Sequence, residues 1–250
     1  MSVSGRLYKK VKQKKQVTMR RIFITAISLV IGVVATMAQP KAGTFSIIPR
    51  LGVAIAKVTG DKVYTSLASA YGDATHSNYK PGLMAGVDFE YQFSDMLAAS
   101  IGAYYSRQGE RFDDVKEAHD MSTKQWNEVR DWKQHHDYVN VPLIASAYVA
   151  DNLALKVGVQ VGFNVDGKME YTEASFVRDQ AGVGSTESVK KIKGDVKLKK
   201  VDFAIPVGIS YEYMNVILDA RYNIGLTKVY DNIDGKNSVF TFSAGYRFSL

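Results

Sequence analysis

The segment 153–165 has the sequence Leu-Ala-Leu-Lys-Val-Gly-Val-Gln-Val-Gly-Phe-Asn-Val, in which every second residue is large and apolar. Successive side chains of a β-strand point to opposite faces of the sheet, so this alternation predicts a strand with one apolar face. The other face carries Lys156, Gln160 and Asn164 among small residues. The two faces of this strand therefore meet very different surroundings.

Further segments of the chain alternate in the same way. They cover about 44–58, 80–93, 96–111, 136–149, 201–213, 216–226 and 240–248. Each is long enough to cross a bilayer, since a tilted strand needs about 9–11 residues. Tight turns near 94–95, 150–152 and 214 alternate with longer connections, of which 59–79, 112–135 and 167–195 are the longest. This pattern is typical of an outer-membrane barrel. We therefore predict an all-β, eight-stranded, antiparallel up-and-down transmembrane β-barrel with short periplasmic turns and long outer loops.

Charged residues indicate which face of these strands is inside. An Arg or Lys that faces lipid at mid-membrane costs roughly 2–4 kcal/mol. The charged residues of the strands share the small, polar face, and they are Arg50, Asp88, Glu90, Lys156, Asp202, Glu212, Asp219, Arg221 and Arg247. We predict that this face points inward and that these residues form a structural charge network. An eight-stranded barrel is only wide enough for side chains to fill, so we expect a plugged lumen.

A soluble, lipocalin-like barrel is the alternative to this arrangement. It would place the large apolar face inside and the opposite face in water. That opposite face is mostly Gly, Ala, Ser and Asn, which would make a poor soluble exterior. The sequence therefore favours an apolar face in contact with lipid.

The N-terminal 38 residues form a separate region. They carry eight basic residues and no acidic one, and the apolar segment 22–35 is followed by Thr36-Met37-Ala38. This pattern predicts a cleaved signal peptide over 1–38, with the barrel over 39–250. A membrane anchor is the alternative, although a helical span needs about 20 apolar residues. Met19 also begins a leader of ordinary length. A translation start at Met19, with residues 1–18 not part of the protein, is therefore a second alternative.

The leader also accounts for the basic isoelectric point. Removing its eight cations from the 32 basic residues of the chain leaves 24, against 25 acidic residues. The body of the protein is nearly neutral, so we expect no nucleic-acid partner. The predicted location is the cell outer membrane, where the expected partners are outer-membrane lipid and lipopolysaccharide.

Candidate catalytic and metal-binding residues are few. Cysteine is absent, which excludes disulfides and thiolate chemistry. His135 and His136 are adjacent, and adjacent strand residues point to opposite faces, so they do not predict a shared metal site. No serine lies in a Gly-x-Ser-x-Gly setting. We therefore predict no enzyme activity, no metal and no cofactor.

The two longest loops at the predicted outer surface are the candidate contacts for protein partners. The loop 112–135 contains Trp126 and Trp132, and we expect either a short helix or a hairpin extension there. The loop 167–195 leads into a basic segment with lysines at 190, 191, 193, 197, 199 and 200. These lysines either meet lipopolysaccharide phosphates by charge attraction or belong to an ordinary solvated strand end.

Two parts of the chain resemble the PorT-like outer-membrane β-barrel family. The segment Tyr138-Val-Asn-Val-Pro-Leu-Ile144, followed by the segment 155–162, resembles the core motif Y-L-x-I-P-L … G-x-x-x-G of that family. Leu218-Asp-Ala-Arg-Tyr-Asn-Ile-Gly225 and Gly245-Tyr-Arg-Phe248 resemble its second half. The resemblance covers about 135–250 well and 44–107 more loosely. The terminal aromatic residue, Phe248, lies two residues before the end, which departs from the usual barrel ending.

The resemblance implies an eight-stranded outer-membrane protein of a diderm bacterium, some relatives of which assist protein secretion. It transfers no functional residues. We therefore expect a structural or interaction protein that acts through its surface loops. An accessory component of protein secretion is the alternative, and a lipid-modifying enzyme is a distant third.

Overall fold

The computed structural model describes residues 41–60, 76–120, 125–178, 184–231 and 234–250. The predicted signal peptide over 1–38 lies outside these ranges. Among the described residues, no helix is long and apolar enough to cross a membrane. The strands are β1 (Phe45–Gly60), β2 (Ser77–Ser94), β3 (Leu97–Phe112), β4 (Val115–Asp120), β5 (Gln125–Ala150), β6 (Leu153–Arg178), β7 (Gly184–Asp195), β8 (Val201–Tyr213), β9 (Val216–Lys228), β10 (Gly235–Tyr246) and β11 (Phe248–Ser249).

Eight of these strands close into a ring. Its order is β1, β2, β3, β5, β6, β8, β9 and β10, and every neighbouring pair is antiparallel. The ring closes where β1 pairs with β10, from Arg50 opposite Gly245 to Gly60 opposite Gly235. The short strand β11 adds to the start of β1, with Ser46 opposite Ser249. The predicted eight-stranded antiparallel barrel is confirmed.

The outer face of the ring carries a continuous apolar band. In the segments 45–55, 83–93, 97–105, 139–149, 153–163, 201–211, 216–226 and 240–248, every second residue is apolar and points outward. Leu51 and Val157 are 66% and 53% exposed on this face, whereas Arg50 and Lys156, one position earlier, are buried inside. We call this surface the apolar band and take these segments as the membrane-spanning ones.

Aromatic residues lie at both edges of the apolar band. Near one edge the rings of Phe45 and Tyr91 lie 4.6 Å apart. Near the other, Tyr222 stacks on Phe240 with ring centroids at 4.5 Å. Tyr and Trp are enriched at membrane–water interfaces because their rings are apolar and their tips polar. The two edges therefore fit the two interfaces of a bilayer.

The two ends of the barrel differ in their connections. At one end, which we call the turn end, Met214 and Asn215 link β8 to β9 with φ angles of 49° and 64°. Positive φ at both central residues is the requirement of a type I′ hairpin turn. The turns at 94–96 and 150–152 lie at the same end. The opposite end carries the longer connections, and we call it the extension end.

The extension end differs from the sequence prediction. The segments 112–135 and 167–195, predicted as loops, are largely strand where they are described. Strands β5 and β6 each have 26 residues, more than twice the 9–11 that a crossing takes. Above the ring, β4 pairs with the start of β5, and β7 pairs with the end of β6. Of the two alternatives for 112–135, the hairpin extension is therefore the one observed.

We call β4, residues 125–137 of β5, residues 166–178 of β6, and β7 the extension sheet. Its strands alternate like those of the band, but its outward positions are charged, as at Lys133 and Lys168. The alternation of apolar residues ends where the outward positions become polar. The sequence therefore did not predict how far β5 and β6 continue as strands. Most of the predicted loop 59–79 lies outside the described residues.

Candidate functional site: a filled lumen beneath an extension sheet

The lumen layer nearest the turn end is organised by one arginine. The Arg247 Nη1 atom lies 2.7 Å from Glu90 Oε1, and its Nε atom lies 2.8 Å from Glu212 Oε1. A third nitrogen, Nη2, donates to the Tyr148 hydroxyl at 3.3 Å. The guanidinium carries five donors in a fixed planar fork, which allows it to serve several acceptors at once. One cation therefore holds a buried carboxylate and a partly buried one from different strands.

The middle layer of the lumen contains three cations and two carboxylates. Asp219 lies 2.6 Å from the Lys156 ammonium and 2.7 Å from Arg221 Nε. Asp88 accepts a hydrogen bond from Arg50 Nε at 2.7 Å and lies 3.5 Å from Arg221 Nη2. The layer carries one positive charge in excess, and the Arg247 layer carries one negative charge in excess. The two layers therefore complement each other along the barrel axis.

Asp202, the ninth residue of the predicted network, lies apart from both layers. It accepts hydrogen bonds from the Thr227 hydroxyl at 2.6 Å and from the Asn237 amide at 3.1 Å. Within the described residues it has no Lys or Arg nitrogen within 4.0 Å. Asp202 is buried on β8, and its height along the axis could not be derived from the sequence.

A further polar cluster, which sequence reasoning missed, closes the extension end of the lumen. The Tyr230 hydroxyl contacts Glu110 Oε1 at 2.5 Å and Gln134 Oε1 at 2.7 Å. His136 Nε2 lies 3.1 Å from the same Gln134 oxygen. We call these four residues the mouth cluster. Glu110, Gln134 and His136 continue the inward alternation of β3 and β5, which was the available signal, but Tyr230 comes from an irregular connection.

Burial shifts the pKa values of two residues of the mouth cluster, which lies outside the spanning segments. Burial raises the pKa of Glu110 and lowers the pKa of His136 to about 3. The imidazole of His136 is therefore neutral at ordinary pH. The Tyr230 hydroxyl lies within hydrogen-bonding distance of both Glu110 and Gln134. The cluster is a hydrogen-bonded latch across the barrel mouth.

The interior between these layers is close-packed. A cavity lined by Met84, Tyr104 and Asn140 has a volume of about 20 Å³, and a water needs about 10–15 Å³ of such space. At Gly102, a Cβ atom would lie 2.4 Å from Asp88 Oδ1 and 2.6 Å from the Tyr104 ring. Tyr104 and Asp88 thus occupy the space that a larger residue at this position would need. The lumen around Gly102 is packed as a core is.

The histidine pair does not form a joint site. His136 points into the lumen with no exposed surface, whereas His135, on the other face of β5, is half-buried. Across the ranges that the structure covers, no three His, Cys, Asp or Glu side chains are grouped to hold a metal ion.

The extension sheet carries an aromatic group and an exposed apolar side chain. The Trp132 ring lies 4.3 Å from Phe112 and 6.1 Å from Tyr171, between centroids. Val189 on β7 is 64% exposed. β4 and β7 are the edge strands of the described sheet. The predicted partner loops 112–135 and 167–195 thus contribute one continuous surface.

Comparison with known proteins decides the family. The family model for the outer membrane protein beta-barrel domain matches residues 37–231, more than half of the chain. The chain belongs to this family. As a member of the outer membrane protein beta-barrel domain family, it is an outer-membrane β-barrel protein, which agrees with the apolar band and the inward charges.

Solved structures of outer-membrane proteins resemble this family member in fold. Ail, the attachment invasion locus protein of Yersinia pestis, is 17% identical, with 83% of this chain and 99% of that chain covered and a TM-score of 0.39. Neisserial surface protein A is 14% identical, with coverages of 81% and 97% and a TM-score of 0.39. OprG from Pseudomonas aeruginosa is 14% identical, with coverages of 85% and 99% and a TM-score of 0.38. No curated protein sequence matches the chain.

Proposed function

We propose that this protein is a non-catalytic outer-membrane anchor that holds the extension sheet above the cell surface for contact with other molecules. The observation that carries the proposal is the excess length of β5 and β6. About 14 residues of β5 lie beyond the apolar band, which at about 3.3 Å per residue is roughly 45 Å along the strand. β5 pairs with β6 along this length, with register shifts at 130–133 and 137–138, and this pairing supports an ordered display surface.

The filled lumen supports an anchor over a channel. Two ion-paired layers and the mouth cluster occupy the lumen at successive heights. Water-filled outer-membrane channels are built from larger barrels, typically of 16–18 strands. The barrel thus serves to hold the extension sheet rather than to conduct.

The register of the strands suggests a variant that tests this function. Arg111 lies opposite Lys133, and Lys168 lies opposite Asp195. Replacing 112–132 and 169–194 each with Asn-Gly, a preferred two-residue hairpin turn, would remove most of the extension sheet. The lumen layers and the mouth cluster would remain. We expect this variant to fold and insert as the full chain does.

Photocrosslinking in intact cells provides the readout. A photoreactive residue at Val189, on the extension sheet, is expected to give a discrete adduct with a cell-surface or envelope component. The matched control at Leu155, which is 48% exposed on the apolar band, should give no protein adduct. Absence of adducts at Val189 and at other exposed extension positions, or stable channel conductance by the purified protein, would overturn the proposal.

A role in protein secretion is the second candidate, and the resemblance of Tyr138–Ile144 and 218–225 to the PorT-like family favours it. The Asn-Gly variant distinguishes the two roles. A secretion component that lost its extension sheet would leave exported cargo in the periplasm, whereas an interaction protein would lose only its surface contact. A lipid-turnover assay on the purified protein tests the proposed lack of enzyme activity.

Export through a cleaved signal peptide completes the proposal. The basic and apolar pattern of residues 1–38 supports it. N-terminal sequencing of the protein from isolated outer membranes should begin at Gln39, and retention of residues 20–38 would contradict cleavage.

A further inference from the structure

Six lysines lie within eleven residues where β7 leads into β8. We call Lys190, Lys191, Lys193, Lys197, Lys199 and Lys200 the lysine strip. Asp195 is the only acidic residue between its ends. All but Lys199 are exposed. A dense run of exposed cations repels itself unless negative charge comes from a partner.

The lysine strip begins at the edge of the apolar band. The Lys200 carbonyl accepts a hydrogen bond from the backbone N–H of Asn164 at 2.9 Å. The next residue, Val201, lies opposite Phe163, and both are exposed on the band. The polar layer of a bilayer is roughly 5–8 Å thick on each side of the hydrocarbon. Lys197, Lys199 and Lys200 are therefore at headgroup height, and the other lysines rise above it.

The protein itself neutralises little of this charge. Lys191 lies 3.3 Å from Glu170, and Lys199 lies 4.0 Å from Asp231. The remaining four lysines have no carboxylate within 4.0 Å among the described residues. The side chains of both pairs are partly or fully exposed to solvent, where an ion pair contributes little, so the strip can accept external anions.

Protection of an edge strand explains only part of the lysine strip. Lysines on a free edge discourage pairing with strands of other molecules, and Lys190, Lys191 and Lys193 lie on the edge strand β7. The other three lie beyond the end of β7, at 196–200, where no strand edge needs protection. Their position at headgroup height points to the membrane surface instead.

We propose that the lysine strip binds the phosphate groups of an anionic glycolipid in the leaflet at the extension end. Lysine ammonium groups act as compact charges that bind phosphate oxygens by charge-assisted hydrogen bonds. A glycolipid with several phosphates can contact several lysines at once. This binding rests on the proposed orientation of the extension end toward the outer leaflet but not on any protein partner.

The test compares two triple variants of the full-length protein in zwitterionic micelles. The strip variant is K193Q/K197Q/K200Q. The matched control is K57Q/K228Q/K236Q, which removes three lysines near the extension end of β1, β9 and β10. The probe is bisphosphorylated lipid A, with fully dephosphorylated lipid A and inorganic phosphate as comparisons. Circular dichroism confirms that both variants keep their strands.

The expected result is a loss of lipid A affinity confined to the strip variant. A lysine near an anionic surface contributes roughly fivefold in affinity, so three predict a loss of roughly a hundredfold, against less than roughly threefold for the control. Wild-type binding should need the phosphates on the lipid and should not be matched by inorganic phosphate. Equal losses in both variants, unchanged binding by the strip variant, or equal binding of dephosphorylated lipid A would overturn the proposal.

A soluble polyanion separates lipid binding from general charge attraction. Heparin should bind the wild-type protein more weakly than lipid A does, because only the lipid presents its phosphates at the edge of the apolar band. Tighter binding of heparin than of lipid A would overturn the assignment to lipid. Because the protein is in micelles, this result is independent of any extension-sheet partner found in cells.

Discussion

Substitution of Arg247 by Met tests the charge arrangement of the lumen. Arg247 is the shared cation of Glu90 and Glu212, at 2.7 and 2.8 Å. Removing one partner of a buried ion pair leaves an uncompensated charge and costs about 3–5 kcal/mol. Glu90 is 3% exposed, so water can compensate little. We expect the free energy of unfolding to fall by about 3–5 kcal/mol, measured by urea titration in lipid vesicles at neutral pH.

Two further variants separate charge from packing. The triple variant R247M/E90Q/E212Q removes the stranded carboxylates together with the cation, and it should recover more than half of the loss. The control R111M removes an exposed arginine at the extension end, and surface changes of this kind stay within about 0.5 kcal/mol. An R247M loss below about 1 kcal/mol, or a triple variant no more stable than R247M, would refute the reasoning.

Three other predictions concern the mouth cluster and the packed lumen. Burial lowers the pKa of His136 to about 3. As the pH drops, His136 is therefore protonated in the unfolded chain before it is protonated in the folded protein, and the free energy of unfolding falls below about pH 6.5. Urea titrations should show wild type losing about 3 kcal/mol relative to His136→Gln between pH 7.5 and 4.5, and parallel pH profiles would contradict this. Gly102→Ala should cost about 1–3 kcal/mol by overpacking, whereas Ala103→Val on the outer face should be nearly neutral by the same titration. Tyr230→Phe should cost about 1–3 kcal/mol because buried acceptors lose their donor, and a wild-type melting temperature would argue against the latch.

The sequence predicted the spanning strands because the membrane imposes one simple rule on them. A lipid-facing position must be apolar, so the segment 153–163 reveals its strand, its faces and its inward Lys156 at once. Above the membrane this rule no longer holds. Lys168 and Lys133 occupy outward positions of the same strands, and the alternation of hydrophobicity disappears although the strands continue.

The pairing inside the lumen could not be derived from the sequence. Which charges meet depends on the stagger of strands around the barrel, a property of the closed ring. Arg247 and Glu90 are 157 residues apart in the chain and yet form a pair. Asp202 has the same charge as Asp219 and also faces inward, but none of the described Lys or Arg nitrogens lies within 4.0 Å of it. Tyr230 lies in an irregular connection, where no periodicity marks its direction.

Spin labelling at single cysteines tests the central claim, that the apolar band faces lipid while the extension sheet stands in water. The chain has no native cysteine, so Val157→Cys, Leu218→Cys and Lys193→Cys each give one labelled site in the protein reconstituted in vesicles. Labels at 157 and 218 should be relaxed by oxygen, which concentrates in the bilayer, and not by a water-soluble nickel chelate. The label at 193 should show the reverse. Relaxation by the chelate at 157 and 218, equal to that at 193, would contradict the account.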